Sequence, residues 1–223
     1  LAMLAPWTAT RVEAVRLPSW TLPAGLVPSA AVVPPGSGPV RAVALGDSIT
    51  VVSESSIVAS SGDVAEWSFR AHDNYRTDQV APWLPGALAT HPDLVVIDLG
   101  TNDALQNDSH AVGELAAVAA EISAAKVPCV AWTTVSEVPD LRAGDGVASE
   151  VNAFVESLPA SHPGWQVEDW WSVSHADPSA MLSPADGVHP TAAGQAWLGR
   201  AYAGLAAACA LRLDEAASAP SSF

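Results

Sequence analysis

The sequence predicts an α/β fold in which a parallel sheet carries helices on both faces. Short apolar runs of the kind found in buried parallel strands recur along the chain, as at residues 40–45 and 94–99. Segments with apolar side chains at helical spacing lie between such runs, and residues 109–126 form the clearest of them. Strands separated by helices of this length are typical of a parallel sheet, because each parallel connection needs a crossover.

The first half of the chain predicts two strands and one broken helix. Residues 40–45 form the first strand, and the Ser-rich stretch that follows, up to Gly62, is predicted to be irregular. Residues 77–90 carry apolar side chains at helical spacing, but two prolines interrupt them, so a broken helix is expected. The second strand covers residues 94–99.

Predicted helices and strands alternate more regularly in the second half of the chain. Its first helix has apolar residues three and four positions apart and a lysine at the end where the helix dipole is negative. A long loop is expected before the last helix, up to Pro190. The predicted elements are a helix at 109–126, a strand at 127–135, a helix at 147–158, a short strand at 165–170 and a helix at 191–212.

The domain organisation follows from these segments. Residues 1–39 are rich in proline and read as an extended arm or linker, residues 40–212 as the folded domain, and residues 213–223 as a tail. The arm is too apolar for a solvated tether, which favours docking on this domain or on a neighbouring domain of a larger protein. Its apolar residues include Trp7, Leu17, Trp20, Leu22 and Leu26.

Composition narrows the possible partners. The 223 residues suffice for one domain with a sizeable core, and no apolar stretch is long enough to span a bilayer. With 9 Lys+Arg against 24 Asp+Glu, the formal charge is −15. Such a surface repels phosphate backbones and anionic lipids, so nucleic acid is not expected as a partner, whereas a neutral or cationic substrate is compatible.

The chain has two cysteines, Cys129 in an apolar run and Cys209 in an Ala-rich helix. Two buried free thiols are the favoured interpretation, and a disulfide between them is the alternative. Two cysteines do not make the dense disulfide framework of a small secreted domain. No Cys/His cluster has metal-ligand spacing, so no metal is expected.

Three short clusters carry the chemistry. Gly46-Asp47-Ser48 follows the first strand, Gly100-Thr101-Asn102-Asp103 follows the second, and Asp186-Gly187-Val188-His189-Pro190 precedes the last helix. A serine becomes a nucleophile only when a base takes its proton and a third group orients that base. His189 and Asp186, three residues apart, can act as such a pair, while Asp47 and Asp103 are expected to orient their loops.

In this order and on these elements, the clusters resemble the SGNH (GDSL-type) hydrolase superfamily of esterases and lipases, over most of residues 40–212. The resemblance implies a three-layer, flavodoxin-like sandwich with a parallel sheet and no cofactor. It also implies that Ser48 is the nucleophile, His189 the base and Asp186 the acid of a catalytic triad. The Asn102 amide and the Ser48 N–H would donate to the oxyanion.

One family feature is replaced. In the family, a glycine that follows the second strand of the family's own fold supplies a further oxyanion N–H. In this chain Asn74, which precedes the strand predicted at residues 94–99, stands where that glycine is expected. Asparagine tolerates positive φ, so the donor is expected to survive. Gly62 is a less favoured substitute.

Several functions fit this reading. The first is a serine esterase acting on a small-molecule or carbohydrate ester, and the second is an O-acyltransferase that moves acyl groups to or from carbohydrate. The third is a non-catalytic binding module that retains the fold. The absence of Gly-x-Ser-x-Gly argues against an α/β-hydrolase.

Other side chains have weaker claims. His175 is a rival base without the Asp-x-x-His context, and His72, Arg70 and Arg76 are surface charges or pocket residues. Of the pair Trp170 and Trp171, predicted to end a strand, one is expected to be partly exposed.

Overall fold

The protein is described by a computed structural model that covers residues 38–143 and 145–218. The prediction for the arm, apart from residues 38 and 39, lies outside the described residues. A five-stranded parallel sheet with the order β2-β1-β3-β4-β5 forms its centre. The strands are β1 Val40–Gly46, β2 Ala65–Ala71, β3 Leu94–Asp98, β4 Cys129–Thr133 and β5 Gln166–Glu168.

Helices cover both faces of this sheet, as predicted. The helices are α1 Ser48–Ser61, α2 Thr77–Val80, α3 Leu84–Leu88, α4 Thr101–Leu105, α5 Ala111–Ala125, α6 Val138–Ala143, α7 Val147–Ser161, α8 Trp170–Ala176, α9 Pro178–Met181 and α10 Ala192–Ser218. One apolar core lies between the sheet and α2, α3, α5 and α7, and a second lies between the sheet and α1 and α10. The architecture is therefore the predicted three-layer sandwich.

Successive side chains along each strand point alternately into the first and the second core. In β1, Val43 and Leu45 point into the first core, whereas Ala42 and Ala44 point into the second. β1 is buried at every position except Arg41, which is why it reads as a nearly continuous apolar run. The predicted strands at residues 40–45 and 94–99 are confirmed with small shifts at their ends.

The Ser-rich stretch after Ser48 is helical, so the prediction of an irregular segment is wrong. Serine is a mediocre helix former, but α1 places Ile49 and Ile57 in the core that it shares with α10. Gly199 of α10 allows close contact, because a Cβ atom there would lie 2.5 Å from the Ser56 carbonyl oxygen. Tertiary packing thus overrides local propensity in this segment.

Several further elements differ from the sequence predictions. The edge strand β2 was not predicted, although its alternation of polar and apolar side chains is a signal of a half-buried strand. The long loop before α10 contains the short helices α8 and α9, so Trp170 and Trp171 begin a helix rather than end a strand. Helix α6 was also not predicted.

The two cysteines form a disulfide, which corrects the prediction of free thiols. Cys129 begins β4, and Cys209 lies on the face of α10 that packs against the same core. Their Cα atoms lie 5.8 Å apart, although 80 residues separate them in sequence. Sequence spacing could not reveal this contact, because it depends on how α10 crosses the sheet.

The last helix is longer than predicted. Its 27 residues continue past the expected end at Arg212 to Ser218. Its buried face includes Leu198, Leu205 and Cys209, the periodic residues that predicted the helix. Within the described part of the chain, no helix combines the length and the apolar character needed to cross a membrane.

Candidate active site

The candidate site lies at the carboxyl edge of the sheet. β1 ends at Gly46, in register with Asp98 at the end of β3. Ser48 follows the first of these strands, Asn102 follows the second, and the loop between α9 and α10 carries His189. Open α/β sheets place their ligands at this edge, so the fold brings the predicted residues to the expected position.

A tight turn carries Ser48 from β1 into the first turn of α1. Gly46 is required there because a Cβ atom would collide with the side chain of Thr50. The Asp47 carboxylate accepts a hydrogen bond of 2.9 Å from the Ile49 N–H and caps the helix. Ser48 is 6% exposed, and its N–H belongs to the first turn, where such groups have no partner within the helix.

The side chains of Ser48, His189 and Asp186 are joined by hydrogen bonds. Nε2 of His189 lies 3.0 Å from Oγ of Ser48, and Nδ1 lies 3.0 Å from Oδ2 of Asp186. The His189 side chain is 39% exposed and that of Asp186 36%. In this geometry the imidazole can take the hydroxyl proton while the carboxylate fixes its tautomer.

The loop around Asp186 holds this carboxylate firmly. Its Oδ1 accepts hydrogen bonds from the N–H groups of Val188 at 2.8 Å and His189 at 3.0 Å. Burial alone would raise the pKa of Asp186, but these donors and the His189 ring outweigh it, so the pKa is lowered. Thr191 caps α10 directly after the loop, as its sequence indicated.

Asn102 lies in the first turn of α4 and is 3% exposed. Gly100 before it has φ 116°, and a Cβ atom there would lie 2.7 Å from a methyl group of Val151, so only glycine fits. Nδ2 of Asn102 donates to the backbone carbonyl of Tyr75 at 3.1 Å. An amide nitrogen carries two hydrogens, and this bond uses one of them.

Asn74 lies in the loop between β2 and α2 and has φ 62°. A glycine would adopt this left-handed conformation readily, and asparagine is among the residues that tolerate it. The His72 N–H donates to the Gly46 carbonyl at 3.3 Å, which ties the loop to the end of β1. That the Asn74 N–H points to the oxyanion stays a prediction.

A buried polar network close to Ser48 was not predicted. Asp98 accepts a hydrogen bond of 2.9 Å from the Thr50 hydroxyl. The Tyr202 hydroxyl lies 3.2 Å from Oγ1 of Thr133. Burial raises the pKa of Asp98 to about 6, although Thr50 and Tyr202 act to lower it. The sequence did contain a signal, since a carboxylate that ends an apolar strand requires buried partners.

The rival candidates are engaged elsewhere. The His175 ring stacks on Trp171 in α8, with ring centroids 5.6 Å apart. Trp170 is buried and Trp171 is partly exposed, as expected for one of the pair. The other three side chains contact their neighbours, namely Tyr75 for His72, Ser68 for Arg70, and Asp78 and Asp108 for Arg76.

One group of acids among the described residues is compact enough to hold a cation, namely Asp78, Asp108 and Glu114. The Arg76 guanidinium already contacts Asp78 and Asp108, each at 2.9 Å. An arginine that bridges two of the three carboxylates supplies the positive charge itself. We therefore assign no metal to this group.

Comparison with known proteins identifies a family. The sequence profile of the GDSL-like lipase/acylhydrolase family matches residues 44–197, well over half of the chain. This segment contains all three of the clusters described above. No curated protein sequence matches the chain significantly.

Solved structures share the fold at low sequence identity. A lipase/acylhydrolase from Enterococcus faecalis is 24% identical, with a TM-score of 0.58 over 82% of this chain and 100% of that one. The catalytic domain of the Streptococcus pneumoniae peptidoglycan O-acetyltransferase A is 17% identical, with a TM-score of 0.57 over 82% and 98%. The SGNH-hydrolase family esterase AlinE4 is 19% identical, with a TM-score of 0.53 over 82% and 99%.

Proposed function

The chain belongs to the GDSL-like lipase/acylhydrolase family, and on this basis we propose that it is a serine esterase that hydrolyses carboxylic esters through an acyl-enzyme. The observation that carries the proposal is the unbroken line of hydrogen bonds from Ser48 through His189 to Asp186, each close to 3.0 Å. Nucleophile, base and orienting carboxylate stand in the relation that such catalysis requires.

In the first half-reaction, Oγ of Ser48 attacks the ester carbonyl carbon while Nε2 of His189 takes its proton. The Asp186 carboxylate stabilises the imidazolium that forms, because it faces Nδ1 at 3.0 Å. The tetrahedral intermediate then collapses as His189 gives the proton to the leaving alkoxide. An alcohol departs, and the acyl group remains on Ser48.

The negative charge on the carbonyl oxygen needs donors that are already in place. The Ser48 N–H at the start of α1 and the second hydrogen of the Asn102 amide are the assigned donors, and the Asn74 N–H is the third. Donors fixed before the reaction cost no reorganisation in the transition state, and one donor contributes roughly 2.7–4 kcal/mol. The positive end of the α1 dipole acts in the same direction.

In the second half-reaction, His189 removes a proton from water, which attacks the acyl carbonyl. Collapse of the second intermediate releases the carboxylic acid, and the proton held by His189 returns to Ser48. The only reactants are ester and water, and His189 carries every proton transfer in the scheme.

The direct test is the hydrolysis of a simple ester by the purified chain. Ser48→Ala should abolish it, whereas Ser55→Ala, an exposed serine on the same helix, should retain full activity. Equal activity in the two variants would remove Ser48 from the mechanism. Loss of activity in both, with the fold intact, would also contradict the assignment.

A second candidate is acyl transfer to a carbohydrate hydroxyl, the alternative that the sequence left open. One neighbour in fold is described as a peptidoglycan O-acetyltransferase. Transfer uses the same acyl-enzyme and differs in whether a sugar hydroxyl or water attacks it. Product analysis with an acetyl donor and added oligosaccharide separates the two, because transfer yields an acetylated sugar and hydrolysis yields acetate alone.

A further inference from the structure

Three side chains from α4 and its C-terminal end contact the segment 74–77, which leads from the loop after β2 into the first residue of α2. Asp103 accepts hydrogen bonds from Thr77, Asn102 donates to the Tyr75 carbonyl at 3.1 Å, and Gln106 donates to the Asn74 carbonyl at 3.1 Å. Asn102 and Asp103 belong to α4 and Gln106 directly follows it, so the three contacts all come from one short stretch of chain. The position of the segment is thus set from α4.

Asp103 makes the most extensive of these contacts. Its Oδ1 and Oδ2 lie 3.2 Å and 3.1 Å from the Thr77 N–H, and Oδ2 also accepts the Thr77 hydroxyl at 3.1 Å. Both residues are completely buried. Because a buried carboxylate that loses its donors is costly, the segment cannot shift without breaking these bonds together.

The contact between Asn102 and Tyr75 connects the hydrogen bonds of Asp103 with Thr77 to catalysis. The Tyr75 carbonyl holds one hydrogen of the Asn102 amide, which fixes the plane of the amide and hence the direction of the other hydrogen. Tyr75 lies two residues before Thr77, the residue that Asp103 holds. A displacement of Thr77 would move the carbonyl and rotate the amide.

We propose that Asp103 is a positioning residue which, by holding Thr77, keeps the Tyr75 carbonyl where it orients the Asn102 amide toward the reacting ester oxygen. The inference rests on the proposed esterase function. Asp103 acts through Asn102 and does not touch the substrate. Loss of Asp103 therefore lowers kcat with little effect on KM, since a misdirected oxyanion donor affects the transition state more than the bound ester.

A double-mutant cycle separates this role from simple structural support. Asp103→Ala should reduce kcat by about tenfold or more in the wild-type background, but by less than about threefold in an Asn102→Ala background, where no amide remains to orient. Equal reductions in the two backgrounds would overturn the inference. So would an unchanged kcat in correctly folded Asp103→Ala.

Asp93, which directly precedes β3 at the amino end of the strands, provides a control whose contact is more exposed than that of Asp103. Its carboxylate likewise accepts hydrogen bonds from the backbone and side chain of one residue, Arg41. Asp93→Ala should therefore leave kcat within about twofold of wild type and combine additively with Asn102→Ala. A coupling with Asn102 as strong as that of Asp103 would show a general effect of lost stability and contradict the inference.

Should Asp103→Ala fail to fold, Thr77 decides the question. Thr77→Ser keeps the hydroxyl that Asp103 accepts, whereas Thr77→Val removes it at similar volume. Thr77→Val should lower kcat with an unchanged KM, Thr77→Ser should not, and the difference should shrink in the Asn102→Ala background. Equal kcat in the two Thr77 variants would overturn the inference. Labelling of Ser48 by a fluorophosphonate reports on the esterase proposal separately, whichever result is obtained.

Discussion

Nε2 of His189 lies 3.0 Å from Oγ of Ser48, although 141 residues separate the two in sequence. The serine comes from the first strand–helix turn of the domain and the histidine from the loop before its last helix. Packing of α1 against α10 in one core brings the two elements together. Formation of the site therefore depends on the whole sandwich.

The roles of base and orienting acid predict unequal losses. His189→Ala should reduce kcat about as severely as Ser48→Ala, by about six orders of magnitude, because no other group takes the serine proton. Asp186→Ala should leave more activity, since it removes only the orienting group. Steady-state kinetics on one ester substrate would measure all three variants.

His175→Ala is the control for that comparison, because the His175 ring stacks on Trp171 and makes no hydrogen bond to Ser48 in the described part of the structure. Its kcat should remain near that of wild type. A severe loss in His175→Ala with a tolerated His189→Ala would mean that the loop has been assigned the wrong role.

The positive φ of Asn74 predicts the effect of restoring glycine. Asn74→Gly should leave kcat equal or raised, because glycine adopts φ 62° without strain and keeps the same N–H. Asn102→Ala should lower kcat by roughly a hundredfold or more with little change in KM. A large loss in Asn74→Gly would show that the asparagine side chain itself contributes. No effect from either change would mean that other groups stabilise the oxyanion.

The buried carboxylates predict how stability depends on pH. Burial raises the pKa values of Asp98 and Asp103 to about 6, above the ordinary value of 3.8. Between these values the folded protein binds more protons than the unfolded chain, so the free energy of unfolding falls as pH rises. Urea denaturation should therefore show greater stability at about pH 5 than at about pH 7.5.

Asp98→Asn should reduce this pH dependence more than Asp63→Asn does. Both changes remove one charge, but Asp63 is exposed and Asp98 is buried. An equal effect of the two variants would attribute the pH dependence to the net charge of −15 instead. Stability that rises from pH 5 to 7.5 would contradict the prediction.

The disulfide predicts a loss of stability without a loss of chemistry. It joins residues 80 apart, and loss of such a crosslink costs roughly 4.5 kcal/mol in the chain-entropy description. Replacing both Cys129 and Cys209 by alanine should lower the free energy of unfolding by about 2–5 kcal/mol. The kcat should hardly change, since Cys129 begins β4 and the site lies at the other end of the strands. Titration of two free thiols in the denatured, unreduced protein would contradict the crosslink.

The sequence predicted those elements whose burial is visible in local pattern. β1 and β3 are apolar at nearly every position because both faces are covered. α1 was not predicted and the Cys129–Cys209 disulfide was only the alternative interpretation, since each depends on contact with α10, more than 70 residues distant. Local propensity contains no information about such contacts.

For the candidate site, too, some features were predictable from the sequence and others were visible only in the structure. Ser48, Asn102 and the Asp186–His189 pair stand in compact clusters after recognisable strands or before a helix, so their proximity was predictable. The contact of Thr77 with Asp103 spans 26 residues and was visible only in the structure. That Asp103 would orient its loop could be expected from the cluster, but the partner could not.

The central claim, that Ser48 is the nucleophile, is tested most directly by a serine-directed fluorophosphonate followed by peptide mapping. The active serine should be phosphonylated at a rate that falls sharply in His189→Ala, because the base that activates it has gone. We predict a single label on Ser48, lost in Ser48→Ala while the melting temperature stays nearly unchanged. Recovery of the label on a different serine, or no labelling of the folded protein, would contradict the account.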